Sequence, residues 1–331
     1  MSSDRLLFAL ETGGLALPQS GTLALWRASG DMALSGLDAA RCEVIHSFAP
    51  DYDSWARRGM AVSVAPKGPY AASIVFLPRA RDLAETMIAE AEAATPDGLI
   101  VINGAKTDGI ESIAKALKKR VTLDGVVSKA HGKCLWFRAQ GAFSDWVRPV
   151  MSANTQGDMT APGIFSADAA DPASVALAAA LPETLKGQVA DLGAGWGWLS
   201  REILSKEGVT ALHLVEAEAH ALDCARQNVT DPRAQFHWAD ATTWKSPSKP
   251  LDGVVMNPPF HQGRKADPRI GQAFVTAAAR LLAPNGQLWM VANRHLPYET
   301  TLAANFRDVA EIAGNNRFKI LHAARPSRPK R

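Results

Sequence analysis

Cysteine is scarce: Cys42, Cys134 and Cys224 are the only three in 331 residues. They are odd in number, far apart and without metal-ligand spacing, which excludes a disulfide scaffold, predicts no metal site and points to a reducing compartment. Long hydrophobic runs are also missing. No segment approaches the roughly 20 apolar residues a membrane helix requires, and the opening MSSDRLLFALETGG holds only a short apolar stretch beside a charge pair. No membrane contact is expected, and a cytoplasmic location is. Nor is there an excess of charge of one sign. The net charge is +3, yet the last seven residues, RPSRPKR, hold four positive charges, so the rest of the chain is one charge negative. This excludes a polycation, and the basic tail at 325–331 suits either phosphate contact or a plain solvated end.

What is present is an ordinary soluble-protein composition, 47% hydrophobic and 21% charged, in a chain long enough for two domains. A division near residue 150 leaves 17 basic and 16 acidic residues before it and 19 and 17 after it, so charge does not tell the halves apart. Pattern does. In the second half the apolar runs GQVADLG, ALHLVEA, AQFHWAD, LDGVVMN and GQLWMVAN alternate with Ala-rich stretches of helical period, which predicts a parallel sheet covered by helices. Between the runs, WLSREILSKEG is expected to stop at Gly208 and AEAHALDCARQNV to form an amphipathic helix. The Gly-, Pro-, Ser- and Asn-rich stretch 148–172 reads as linker and entry to the second domain, with Asp171 and Pro172 as N-cap and first residue of a helix.

Residues 73–103 and 253–293 share one plan: apolar strand, proline, Ala-rich helix, a PDG or PNG turn, then a second apolar strand ending in Asn. The second copy is longer by about the length of HQGRKADP, 261–268. A tandem duplication follows, with an extra loop in the second copy only. Aligned by eye on the prolines, Leu77 falls where Asn257 stands and Arg79 where Pro259 stands, and no DLGAGWG counterpart precedes residue 150. The first half is therefore expected to be chemically silent.

In VADLGAGWGWL an acid ends a strand, glycines 193, 195 and 197 follow, and an apolar helix begins. Glycine is needed where the chain turns with left-handed dihedrals or a ligand approaches the backbone. A dinucleotide site would be spaced G-x-G-x-x-G; here the spacing is G-x-G-x-G, which disfavours a nicotinamide dehydrogenase. Asp191 suits an amino-acid ammonium, Glu216 at the next strand end suits two ribose hydroxyls, and Asp240 at the third suits the exocyclic amine of adenine. Three acids on three successive strand ends lie on the edge where open α/β sheets bind ligands.

These residues carry a family resemblance. The second half resembles the class I S-adenosylmethionine-dependent methyltransferases. More narrowly, APGIFSADAADPASVALAAALP, DLGAGWGWLS, NPPFHQG and VANRHLPYE, in that order, are similar to the bacterial small-subunit ribosomal RNA guanine-N2 methyltransferases. The resemblance implies two tandem Rossmann-like domains: a degenerate one over 1–148 for RNA docking or structural support, and a catalytic one over 149–324. The catalytic domain would have a mostly parallel seven-stranded sheet ending in an antiparallel hairpin. It implies S-adenosylmethionine as cofactor, held by Asp191, Gly193, Ala194, Gly195, Glu216, Ala217, Asp240, Ala241 and Asn257 with Phe165 laid over it, and ribosomal RNA or the small subunit as partner. Ala194 stands where the family often has cysteine, and Trp196 and Trp198 make the glycine loop bulky.

LDGVVMNPPFHQG ends a strand with an amide, two prolines and an aromatic, without acid or base. The lone pair of a conjugated amine is delocalised into its ring. Two acceptors taking its N–H hydrogens turn the lone pair toward an electrophile. The Asn257 side-chain oxygen and the Pro258 carbonyl suit that task, with Pro258 and Pro259 holding the backbone extended and Phe260 stacking on the base. His261, Arg264 and Lys265 are expected to contact RNA phosphates or ribose while the base leaves its stack, and NRHLPYE to close the substrate side. The same motif would serve adenine-N6 or a glutamine side-chain amide, and a non-catalytic assembly factor retaining the fold is the rival from another class.

Overall fold

A computed structural model describes residues 2–247, 249–259, 261–262, 265–266 and 268–327. The chain separates into two compact units, Met1–Val150 and Met151–Arg331. The first contains α1 (Ser2–Glu11), β1 (Leu23–Trp26), β2 (Cys42–Ile45), α2 (Ala49–Arg57), β3 (Ala61–Ser63), β4 (Ala72–Phe76), α3 (Arg81–Ala93), β5 (Leu99–Ala105), α4 (Ile110–Leu117), β6 (Gly125–Lys129) and β7 (Gly132–Arg138). Its seven strands lie in the order β3-β2-β1-β4-β5-β7-β6, parallel except for β7, which runs against β5 and β6.

The second unit opens with a small hairpin, β8 (Ser152–Ala153) and β9 (Met159–Thr160), then α5 (Pro172–Ala180), β10 (Gly187–Leu192), α6 (Trp198–Leu204), β11 (Val209–Glu216), α7 (Ala219–Asn228), β12 (Ala234–Trp238) and β13 (Leu251–Met256). A two-residue-strand hairpin, β14 (His261–Gln262) and β15 (Lys265–Ala266), precedes α8 (Pro268–Leu281), β16 (Leu282–Asn293), α9 (Glu299–Asn305), β17 (Phe306–Gly314) and β18 (Phe318–Pro326). The sheet order is β12-β11-β10-β13-β16-β18-β17, with the C-terminal hairpin antiparallel. Each strand of the first sheet thus has a counterpart at the same place in the second, as expected for two tandem α/β units; the seven strands expected of the second are matched by seven in the first.

Strand residues alternate between two apolar layers because successive side chains point to opposite faces. In β13, Val254 and Met256 join the layer under α8, and Val255 joins the layer under α5 and α6. This alternation corrects the alignment by eye. The Arg27 amide donates to the Ile45 carbonyl at 2.9 Å and the Gly193 amide to the Val215 carbonyl at 2.8 Å, and both residues have left-handed φ, 54° and 80°. Carried across by strand register, that match places Leu25 opposite Asp191, His46 opposite Glu216 and Phe76, not Leu77, opposite Asn257. Pro78 then matches Pro259. A slip of one residue changes the face a side chain occupies, so the offset decides which residue replaced the amide.

Two local expectations also change. Helix α6 ends at Leu204, before Gly208; a Cβ at Gly208 would meet the Leu185 carbonyl at 2.7 Å, so glycine there serves close approach rather than helix termination. The stretch read as linker is built into the second unit, since Asn228 exchanges two hydrogen bonds of 2.8 Å with the Met159 backbone and Arg201 pairs with Asp158.

Candidate active site

The carboxyl ends of β10, β11, β12 and β13 bring the expected residues to one edge of the second sheet. Gly193, Gly195 and Gly197 have φ of 80°, 57° and 91°, the left-handed region that an L-side chain enters at a cost of about 1 kcal/mol or more. At Gly197 a Cβ would also strike Val229 at 2.7 Å, whereas at Gly195 it would meet nothing within 4 Å. The Gly195 Cα therefore faces open space, a cradle that any side chain would fill.

Glu216 holds this loop. Its Oε2 accepts from the Gly195 amide at 2.8 Å and its Oε1 from the Glu218 amide at 2.7 Å. Burial pushes its carboxyl above the ordinary range, and those amides oppose the shift. Each oxygen keeps a second lone pair, so the carboxylate is oriented and can still accept from a vicinal diol. Asp240 uses Oδ1 to cap its own turn, accepting from the Thr242 amide at 2.8 Å and hydroxyl at 2.6 Å. Ala217 offers its carbonyl to the Trp238 indole at 2.8 Å, and Ala241 is buried in the apolar layer under α8.

Asp191 departs from expectation. It ends β10 as anticipated, but its side chain is 1% exposed and accepts from the Ser200 hydroxyl at 2.6 Å. Burial pushes its carboxyl up to about 7, with Ser200 opposing and Glu216 adding to the rise. A carboxyl turned into the layer beneath the loop braces the loop instead of presenting a charge to an ammonium group.

A crevice beside the loop is lined by Phe165, Asp171, Ser174, the backbone from Gly193 to Gly195, and Asn257. Phe165 is 68% exposed over it. Its segment is pinned by Trp196, whose indole donates to the Ser166 carbonyl at 3.3 Å, so the bulky loop residue, itself part of the crevice wall, holds the rim in place. A larger hollow lies at the opposite end of the parallel strands, near Asp252, Gln287 and His322. There His322 pairs with Gln287 and Asp252 accepts from the Gln188 amide, and the hollow lies away from the strand ends that carry the glycine loop and Asn257, so the smaller crevice is the better candidate.

Asn257 has the most informative environment. Its Nδ2 donates to Asp171 Oδ2 at 2.9 Å and Ser174 Oγ at 2.8 Å. Its Oδ1 is buried and has no partner among the described residues. An orphaned buried acceptor costs about 1–3 kcal/mol, so this atom stands ready for a donor that the described residues do not supply. Pro258 is buried and Pro259 exposed.

Residues 158–322 match the family described as Methyltransferase small domain. Ribosomal RNA small subunit methyltransferase C of Shewanella sp. (strain MR-4) is 31% identical over 264 residues, 76% of each chain. The chain belongs to that methyltransferase C family. The Shewanella oneidensis member is 28% identical over 87% of each chain. A solved 16S rRNA N2 methyltransferase of T. thermophilus, in complex with AdoMet and guanosine, superposes with a TM-score of 0.79 at 23% identity, covering 98% of this chain and 91% of that one; it shows that the fold is shared.

Other residues expected in the family's site are placed only in part. Phe260 and Arg264 lie outside the described residues, and of His261 and Lys265 only the backbone is described, in the β14–β15 hairpin. NRHLPYE does not form a substrate cover as a whole: Leu296 and Tyr298 are core residues, and Arg294 ties the C-terminal hairpin through Glu311 and the Asn315 carbonyl. Sequence reasoning missed Ser174 and saw Asp171 only as a cap. Their N-cap and N3 spacing was the available signal. No helix among the described residues is long and apolar enough to cross a membrane, and they hold no cluster of three or more metal-ligating side chains.

Proposed function

We propose that the second unit transfers a methyl group from S-adenosylmethionine to the exocyclic N2 of a guanine in ribosomal RNA. The observation that carries this is Asn257 Oδ1, buried beside the glycine loop and without a partner among the described residues. The residues fit the cofactor: the open face at Gly195 accepts a close ligand, and Glu216 is held by two amides in a position suited to ribose hydroxyls. When bound, S-adenosylmethionine supplies an electrophilic sulfonium methyl.

The chain's own residues then act on the amine. Asn257 Oδ1 and the Pro258 carbonyl accept its two N–H hydrogens and aim its lone pair at the methyl carbon. Methylation would place positive charge on the amine, and the two oxygens would stabilise it without reorganising. Each such bond is worth about 1.5–3 kcal/mol, about tenfold to hundredfold in rate if realised only at the transition state. The proton leaves afterwards to water, so no side-chain base is needed. Asp191 and Ser200 hold the loop from beneath, and Phe165 shields the crevice from solvent. The first unit is assigned to RNA docking or support.

The test is to incubate the chain with labelled S-adenosylmethionine and small ribosomal subunits lacking this methylation, digest the RNA and identify the nucleoside. N2-methylguanosine is expected. N6-methyladenosine, or label in a protein glutamine, would replace the reading, and no transfer would leave an assembly factor.

A further inference from the structure

We infer that Asp171 and Ser174, on the first turn of α5, are positioning residues that decide which end of the Asn257 amide meets the substrate amine. The inference rests on the reading above. A side-chain amide can present either an acceptor or a pair of donors, and its neighbours choose. An ionised carboxylate only accepts, so Asp171 Oδ2, 2.9 Å from Nδ2, fixes the amino end toward α5; Ser174 Oγ at 2.8 Å takes the second hydrogen. Turned over, the amide would set its carbonyl oxygen against a carboxylate oxygen and offer two donors to an amine that is itself a donor. That orientation would repel the substrate. In the observed one, both amide hydrogens are committed and Oδ1 is left buried without a partner among the described residues.

The charge has a second effect. A hydrogen bond from an amide N–H to a carboxylate polarises the amide, and linked hydrogen bonds strengthen one another. Asp171 therefore makes Oδ1 a stronger acceptor for an amine on which positive charge is growing. The helix alone does not require this residue. Asp171 caps α5 by accepting from the Ser174 amide at 3.0 Å, and serine caps a helix about as well. Only the longer, charged side chain both caps the turn and holds an amide 86 residues away.

That difference separates the two roles in Asp171→Ser. We expect thermal stability to fall by no more than in Asn257→Ala, which loses the same hydrogen bond, cofactor Kd within about twofold, unchanged KM for undermethylated small ribosomal subunits, and kcat lower by about tenfold or more. Ser174→Ala should lower kcat by a smaller factor, about threefold. In an Asn257→Ala background neither change should lower turnover further, because the group they position is gone. In 15N spectra the Asn257 side-chain amide signal, assigned by its loss in Asn257→Ala, should shift in Asp171→Ser. Wild-type kcat in Asp171→Ser, or equal losses with and without Asn257, would overturn the inference while leaving the methyl-transfer reading intact. Near-normal turnover by Asn257→Ala itself would overturn both.

Discussion

The two sheet edges of this chain share strand order, register and loop turns, yet they end in different side chains. Where the second unit has Asp191, Glu216 and Asn257, the first has Leu25, His46 and Phe76. Leu25 is fully buried, Phe76 is a core residue, and His46 is buried with its imidazole pushed down to about 3 by burial. Nδ1 of His46 accepts from the Phe48 amide as Oε1 of Glu216 accepts from the Glu218 amide, so a backbone-holding task survived while the carboxylate did not. Arg27 keeps the left-handed turn of Gly193, although arginine gains nothing from that conformation. Further along the first loop, Gly30 is closed in by Asp51, Ser54 and Arg58. The fold preserves turns and registers; a site exists only where polar groups at the strand ends remain available to a ligand. Among the described residues the first unit leaves no buried side-chain polar atom without a partner, while the second leaves His213 Nε2 inside the sheet and Asn257 Oδ1 at the strand end.

Exchanging the residues at that matched position is the strongest way to break the comparison. Asn257→Phe should reduce methyl transfer by about a hundredfold or more. Its mirror, Phe76→Asn, should destabilise the first unit by about 3–5 kcal/mol through lost burial and an unpaired amide, and confer no activity. Urea melts and transfer assays on the two variants check both halves, and tolerance of asparagine at position 76 would show that the first edge is not packed shut.

Asp191 tests whether the second edge stores a cost that the first has eliminated. Its raised carboxyl keeps a proton in the folded chain that the unfolded chain has released. Stability from this group is therefore full below pH about 4 and is lost as pH rises toward about 7, levelling off above. Asp191→Asn should gain on the parent by about 2 kcal/mol between pH 5 and pH 6.5. Melting curves at several pH values read this; a gap that narrows with rising pH would refute the buried, protonated carboxyl.

The smallest effect is expected at Gly195, whose matched residue in the first unit is Ser29. Gly195→Ser should cost about 1 kcal/mol in stability because φ is 57°. It should also weaken S-adenosylmethionine binding in a calorimetric titration, since the new side chain points into open crevice. Unchanged affinity would remove the loop from the cofactor site.

Much of this was legible along the chain. Period-two and period-3.6 patterns, glycine spacing and strand-ending acids are local signals, and they located the second sheet, one strand-helix-strand unit of the first, the glycine loop and Asn257. The residue that replaced Asn257 in the first unit was misread by one position, because the prolines looked like the natural anchor. Only the alternation of Val254, Val255 and Met256 between two apolar layers shows which face each side chain takes. Ser174 was missed because a serine in a helix's first turn has many uses, and none of them names a partner 83 residues away.

The amino-acid order by itself determined the two α/β units, the left-handed glycine turn and the identity of the groups delivered to the strand ends. These depend on backbone dihedral limits and on apolar periodicity, which neighbours in the chain suffice to express. Tertiary structure alone decided that Asp191 turns inward to Ser200 and that the amide of Asn257 turns its nitrogen to Asp171 and Ser174, leaving its oxygen uncommitted among the described residues. Hydrogen bonds are directional and act across space, so the orientation of a polar group is settled by whichever partner the folded chain brings within about 3 Å.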